Sequence, residues 1–214
     1  MSPPAYKRLD INNCLFLFVD HQSGLMGIVR DFDVDEFRAS VLSLVDLAKF
    51  FKVPVILTTS FDTGPNGRII PELTETFPDA PLIRRPGEIN AMDNPDFARL
   101  VKESGKKQVV ISGVATEVCV AFAALSLIEL GYEVFVVTDA SGTLAEHTRE
   151  SAHKRMAAHG VQLVNWFAVA GELQRDWRPN VAEFGSFMGN HVTSFRYITQ
   201  VFEAGKEQGA QSGQ

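Results

Sequence analysis

Short, almost unbroken apolar runs alternate with longer stretches of helical periodicity along most of this chain, and that pattern admits few folds. Residues 14–20, CLFLFVD, are apolar up to a terminal aspartate, as a strand covered on both faces requires. Between residues 34 and 52, Phe37, Val41, Leu44, Leu47 and Ala48 recur at helical spacing with polar residues between them. Pro54 then opens a second strand, VILTTSF, ending near Phe61. The alternation continues with a helix over residues 96–104, a strand QVVISG ending at Gly113, and a helix over residues 116–130. A strand EVFVVTD, a helix over residues 145–159 and a strand VQLVNW follow. Gly105, Gly131 and Gly160 fall where helix C-caps belong. With a short strand near Leu82 and Ile83, the reading is α/β: a three-layer α/β/α sandwich around a six-stranded, mainly parallel sheet.

A chain of 214 residues can bury one sizeable core, so residues 1–178 are read as a single domain. Its least regular part is residues 62–95, where Gly and Pro are frequent; a loop region this long usually serves a site. From Pro179 the alternation weakens, yet residues 179–203 keep Phe184, Phe187, Met188, Phe195, Tyr197, Ile198 and Phe202. So many large apolar side chains need a surface, which makes this segment an extension packing on the core or on a neighbouring subunit. Residues 204–214, rich in Gly, Gln and Ser, read as a disordered tail.

Several function classes are disfavoured at this point. A formal charge of −6 argues against nucleic acid as a partner, since a binder normally shows a basic face. Two cysteines, Cys14 and Cys119, do not make a disulfide framework. The N-terminus lacks the basic start and apolar run of a secretory signal, and no apolar stretch approaches the roughly 20 residues of a membrane span. The expectation is a cytoplasmic protein with no membrane partner.

In open α/β sheets, ligands bind outside the carboxyl ends of the strands, where loops and helix N-termini converge. Asp20 ends the first strand, Thr58, Thr59 and Ser60 the second, and Arg84 and Arg85 follow the short one. Cys119 lies one turn into the helix after Gly113. A free cysteine in VCVAFAAL is commonly a small buried hydrophobe. Its position supports another role: with Thr116 as N-cap, Cys119 sits among unpaired N–H groups that favour a thiolate or hold an oxyanion. Asp20 could merely cap a turn, but beside a cysteine it can take the thiol proton and return it to a leaving group. Arg85, otherwise a surface or salt-bridge residue, would stabilise negative charge there.

Other candidates are weaker. His21 should point away from Asp20 if the strand continues, so it reads as structural. His147 and His153 find no third ligand at metal spacing, and no histidine lies between His21 and His147, so no metal or other cofactor is expected. Cys14 reads as core, and GVATEV lacks the glycines of a phosphate loop.

The stretches LFLFVDHQSGL, PVILTTSFDTGPNG, RPGEINAMDNPDF, ISGVATEVCVAFAAL and VFVVTDASGT resemble those of the isochorismatase-like cysteine hydrolase superfamily, and in detail the YcaC-type hydrolases. The resemblance runs from about Tyr6 to Phe202. It implies six parallel strands with flanking helices and an Asp–Lys–Cys triad, with Asp20 at the aspartate position and Cys119 as nucleophile. The lysine position holds Arg85, a departure that keeps positive charge but removes a group able to shuttle a proton. The resemblance also places a non-proline cis peptide at Val114–Ala115, aiming the Ala115 and Cys119 N–H groups as an oxyanion hole. Related nicotinamidases hold a metal through loop histidines that this chain lacks.

The leading expectation is hydrolysis of a small amide or carbamoyl-type C–N bond through a Cys119 thioester. Gln22, Phe61, Asn90 and Thr116 are the expected substrate-binding residues. Two alternatives stand beside it: vinyl-ether hydrolysis of the isochorismate kind, using Asp20 without a nucleophile, or a non-catalytic oligomeric scaffold. The aromatic C-terminal segment and the resemblance both point to a homo-oligomer, an octamer among the forms expected.

Overall fold

A computed structural model describes residues 6–212, with side chains described as far as residue 206. Six strands form one sheet in the order β3-β2-β1-β4-β5-β6. They are β1 Cys14–Val19, β2 Val55–Ser60, β3 Leu82–Arg85, β4 Gln108–Gly113, β5 Glu133–Val137 and β6 Gln162–Val164. Every neighbouring pair is parallel, so the sheet expected to be mainly parallel is wholly so. Every residue of β1 and β4 is buried, which accounts for runs without polar alternation.

The helices are α1 Ser23–Met26, α2 Val34–Phe50, α3 Pro71–Thr76, α4 Pro95–Glu103, α5 Ala121–Glu129, α6 Glu146–Ala158, α7 Trp166–Gln174, α8 Val181–His191 and α9 Thr193–Ser212. Local chemistry explains several boundaries. Asp33 caps α2 by accepting from the N–H groups of Asp35 and Glu36, at 2.9 and 3.2 Å. Asn94 caps α4 through the Phe97 N–H at 3.0 Å, and Pro95 occupies the first turn, where its missing N–H costs nothing. Phe37, Val41, Leu44, Leu47 and Ala48, the helical stripe read from sequence, are all buried. Gly105, Gly131 and Gly160 take φ values of +67°, +83° and +89°, the left-handed geometry of a C-cap.

On one face of the sheet, Leu15, Leu17, Val19, Val109, Ile111, Val134 and Val136 share a core with α4, α5 and α6. The alternate residues Cys14, Phe16 and Phe18 are equally buried, so the other face is covered as well. Phe18 stacks there on Phe77, with ring centroids 6.1 Å apart. None of the helices is long and apolar enough to cross a membrane among the described residues.

Three expectations change. The helix expected from residue 116 begins as a π turn, Thr116–Val120, and becomes α-helical only at Ala121. The last strand ends at Val164, because Asp139 accepts from the Trp166 N–H at 3.0 Å and Asn165 from the Ala168 N–H at 2.7 Å, starting α7. Residues 204–212, read as a disordered tail, continue α9, since a helix already nucleated extends cheaply through Glu, Lys, Gln and Ala. Residues 213–214 lie outside the described residues.

The chain divides into two compact units, residues 1–173 and 174–214, where the sequence placed a boundary at Pro179. The first unit carries the sheet. In the second, α8 and α9 pack together: the Arg196 Nε–H donates to the Gly189 carbonyl at 2.9 Å, and Trp177 stacks on Phe195 at 5.6 Å.

Candidate active site

The strand order reverses between β1 and β4, and their carboxyl ends approach closely there. A Cβ on Gly113 would stand 2.2 Å from the Val19 carbonyl oxygen, so only glycine allows that approach. Asp20 leaves β1 and Cys119 follows β4, one on each side of this switch point.

Asp20 is fully buried with φ +57°, while its N–H still donates to the Thr58 carbonyl at 2.9 Å. A non-glycine residue in this region is uncommon, and the surrounding structure must hold it there. Its Oδ1 accepts from Arg85 Nη2, and neither side chain has any exposed surface. Arg85 ends β3 and spreads its other N–H groups across the loop beyond. Nε donates to Thr58 Oγ1 at 3.0 Å, and Nη1 donates to the carbonyls of Glu88 and, at 3.3 Å, Ile89. Thr58 gives its own hydroxyl proton to the Ile83 carbonyl at 2.9 Å, leaving a lone pair for Arg85. Four of the five guanidinium N–H groups are thereby engaged with protein acceptors.

Asp20 Oδ2 is buried with no hydrogen-bond partner. The Cys119 thiol lies close enough to this carboxylate for each group to shift the other's proton affinity. Burial raises the Asp20 carboxyl above its ordinary range, while the charge and hydrogen bond of Arg85 pull it down. The thiol behaves in the opposite sense to the expectation from sequence. A helix N-terminus predicted a lowered thiol; burial first, then the Asp20 carboxylate, push Cys119 up to about 12. The Ala115 N–H and Arg85 act downward but do not win. Desolvation of the charged form outweighs the few aligned dipoles of one turn, so Cys119 rests as a thiol.

The peptide between Val114 and Ala115 is cis, as the resemblance implied. The Ala115 N–H acts on the Cys119 sulfur, so one donor of the expected oxyanion hole lies beside that thiol. Thr116 does not act as an N-cap: its N–H donates to the Gly142 carbonyl at 3.1 Å, and its buried hydroxyl has no partner. Two positions away from Cys119 on the same turn, Glu117 accepts from Thr143 Oγ1 at 2.6 Å, and the Thr143 N–H donates to Asp31 at 2.8 Å. That clasp ties the turn to the loop before α2. Sequence offered no signal for it, because its three residues come from segments far apart in the chain.

The other expected pocket residues divide. Phe61 is half-exposed at the end of β2, at φ +46°, its N–H donating to the Arg85 carbonyl at 2.9 Å. The Gln22 amide is engaged with backbone: it donates to the carbonyls of Ser60 and Gly67 at 3.1 and 2.6 Å and accepts from the Ser60 N–H at 2.8 Å. Asn90 caps a 3-10 turn, accepting from the Met92 N–H at 3.1 Å and donating to Ser126 Oγ at 2.9 Å. Both carry turn-building duties that their polarity alone did not reveal. His21 is buried with Nε2 3.3 Å from the Ala140 carbonyl and Nδ1 unpartnered; burial drives it to about 4, so it is neutral and structural. Among the described residues, no three His, Cys, Asp or Glu side chains converge as a metal site.

Comparison with known proteins places this constellation. The isochorismatase domain model matches residues 14–167, from the start of β1 into α7. The probable hydrolase YcaC of Escherichia coli is 55% identical over 198 residues, covering 92% of this chain and 95% of that protein. Its crystal structure, described as an octameric hydrolase of unknown specificity, superposes with a TM-score of 0.92 over 94% of this chain and 98% of that one. YcaC from Pseudomonas aeruginosa, solved with hexane-2,5-diol and covalent acrylamide, gives 0.91 at 56% identity, covering 93% and 98%. With the switch-point carboxylate and cysteine on the wholly parallel six-stranded sheet, this chain belongs to the isochorismatase family.

Proposed function

We propose that this isochorismatase-family hydrolase is a cysteine hydrolase that cleaves a small, uncharged amide or carbamoyl-type C–N bond. The observation that carries the reading is the row Arg85–Asp20–Cys119, in which a fully buried carboxylate paired with a buried, fixed cation lies beside a half-buried thiol. Burial raises Asp20 and so makes it a better proton acceptor than an exposed carboxylate.

In the first half-reaction Cys119 Sγ attacks the carbonyl carbon as its proton passes to Asp20. The oxyanion takes hydrogen bonds from the Ala115 and Cys119 N–H groups. Asp20 returns the proton to the nitrogen, the C–N bond breaks and an amine departs, leaving a thioester. In the second half, Asp20 takes a proton from water and the hydroxide adds to the thioester carbon. Collapse expels the Cys119 thiolate, which regains the proton from Asp20. Arg85 moves no proton; it keeps Asp20 in place and offsets negative charge.

Two observations support this over the aspartate-only route. Arg85 has four of its five N–H groups committed to the protein, and Arg84 is paired with Asp62, so neither is a free cation for the carboxylates of a dicarboxylate such as isochorismate. The covalent acrylamide of the P. aeruginosa relative is the adduct a nucleophilic side chain forms with that electrophile. The octameric E. coli relative further supports a homo-oligomer for this chain.

The test is peptide mapping after incubation with acrylamide, with Cys14 as internal control. Cys14 is buried, pushed to about 11, and has no base hydrogen-bonded to it. Adduct on Cys119 and not on Cys14, abolished in Cys119→Ala, is the expected result. A Cys119 as inert as Cys14 in the folded protein overturns the nucleophile and leaves the aspartate-only and non-catalytic readings.

A further inference from the structure

The turn that carries Cys119 is not held by a cap of its own. Thr116–Val120 is a π turn, closed from within by the Val118 and Val120 N–H groups, which donate to the Ala115 carbonyl at 3.3 and 3.2 Å. Ala115, in the cap position, makes no side-chain capping bond, and the Thr116 hydroxyl is unpartnered. Two consecutive residues of the loop between β5 and α6 hold the turn from outside. The Gly142 N–H donates to the Gly113 carbonyl at 3.2 Å, and its own carbonyl accepts from the Thr116 N–H at 3.1 Å. Thr143 adds a side-chain tie, its hydroxyl donating to Glu117 Oε2 at 2.6 Å.

Thr143 is a fixed anchor. It is fully buried, its N–H donates to Asp31 Oδ1 at 2.8 Å, and its carbonyl accepts from the Arg30 and Asp31 N–H groups at 2.8 and 3.3 Å. Asp31 is held in turn: its side chain has no exposed surface, and Arg149 donates to its carbonyl at 2.6 Å. Glu117 and Cys119 share a single turn of five residues, so a pull on one sets the direction of the other. We infer that the Glu117–Thr143 hydrogen bond positions the nucleophile, holding the π turn so that Cys119 Sγ meets Asp20 and the Ala115 N–H. Both are positioning residues that act through Cys119 and touch no substrate. The charges that act on the thiol are those of Asp20 and Arg85, so Glu117 works through its hydrogen bond. π-Bulges often mark functional sites, and a reacting group misplaced by about 1 Å loses about 10²-fold in rate.

The inference rests on Cys119 as the nucleophile proposed above. It is tested on the full chain by the rate of acrylamide addition to Cys119, followed by peptide mapping. Glu117→Ala and Thr143→Val each remove one side of the bond and are expected to slow that rate by about ten- to hundred-fold. The double variant is expected to be no slower than the slower single, because all three lose the same bond. Glu117→Gln keeps an acceptor and Thr143→Ser a hydroxyl, so each is expected to restore most of the rate. Unchanged helix content by circular dichroism, with Cys14 in the buried β1 still unlabelled, shows that a variant is folded. Should Glu117→Ala not fold, Thr143→Val, which keeps the side-chain shape, carries the test. Single variants that react as fast as wild type or faster overturn the positioning role and leave the nucleophile in place. So do additive losses in the double variant, or a loss that the Gln and Ser variants share. A wild-type Cys119 as inert as Cys14 overturns the nucleophile itself, and this inference with it.

Discussion

Arg85 and Asp20 form a fully buried ion pair 65 residues apart in sequence, and Arg85 is fastened on its other edges to Thr58 Oγ1 and two loop carbonyls. The pair therefore serves as the clamp between β1 and β3 as well as the base of the proposed site.

Removing one partner leaves an uncompensated buried charge, which costs about 3–5 kcal/mol. Arg85→Met is expected to lose stability on that order at pH 7 by urea unfolding, and Asp20→Asn/Arg85→Met to recover part of it. Arg85→Lys keeps the charge but cannot reach Thr58, Glu88 and Ile89 together, so a smaller loss of about 1–3 kcal/mol is expected. Equal stability for Arg85→Met and wild type would contradict the clamp.

Asp20→Asn separates the two effects of the carboxylate on Cys119. The Asp20 charge helps push the thiol up to about 12, so its removal should move the alkylation titration of Cys119 to lower pH. Turnover of any amide substrate found should fall by about 10²–10⁴, because the proton acceptor is gone. A titration that does not move would separate Asp20 from Cys119 electrostatically.

His21 makes stability depend on pH. Its folded value of about 4 lies below the unfolded value near 6.5, so between those pH values the unfolded chain binds the extra proton. The stability contributed by neutral His21 is present above pH 6.5 and is lost as pH falls toward 4, by about 3 kcal/mol in all. Asp31 and Asp139, whose carboxyls burial raises, act in the opposite sense, so the readout is the difference between wild type and His21→Gln. Parallel stability–pH curves for the two proteins would remove His21 as the cause.

Gln22 joins the ends of β1 and β2 through three hydrogen bonds to the backbone of Ser60 and Gly67. Gln22→Leu should lose about 1–3 kcal/mol of stability, since buried backbone groups are left unpaired. Its KM for an amide substrate should stay near the wild-type value. A large rise in KM at unchanged stability would restore Gln22 to the substrate pocket.

Much of the fold is legible in the sequence because its signals are local. The apolar run of β1, the stripe Phe37–Val41–Leu44 on α2 and the C-cap glycines 105, 131 and 160 each act within one element, over a few residues of chain. Strand-end position brought Asp20, Arg84 and Arg85 to one edge of the sheet, because parallel strands deliver their carboxyl ends there whatever their separation in sequence, and the helix start and the family resemblance singled out Cys119 and Arg85. Tertiary structure decided the rest. Whether Gln22 and Asn90 face a substrate or bond to neighbouring turns depends on which loops lie beside them. Whether Cys119 rests as thiol or thiolate depends on summed desolvation and on a carboxylate 99 positions earlier in the chain, and these outweighed the local effect of a helix start. Burial is a property of everything packed around an atom, and no window of sequence contains it.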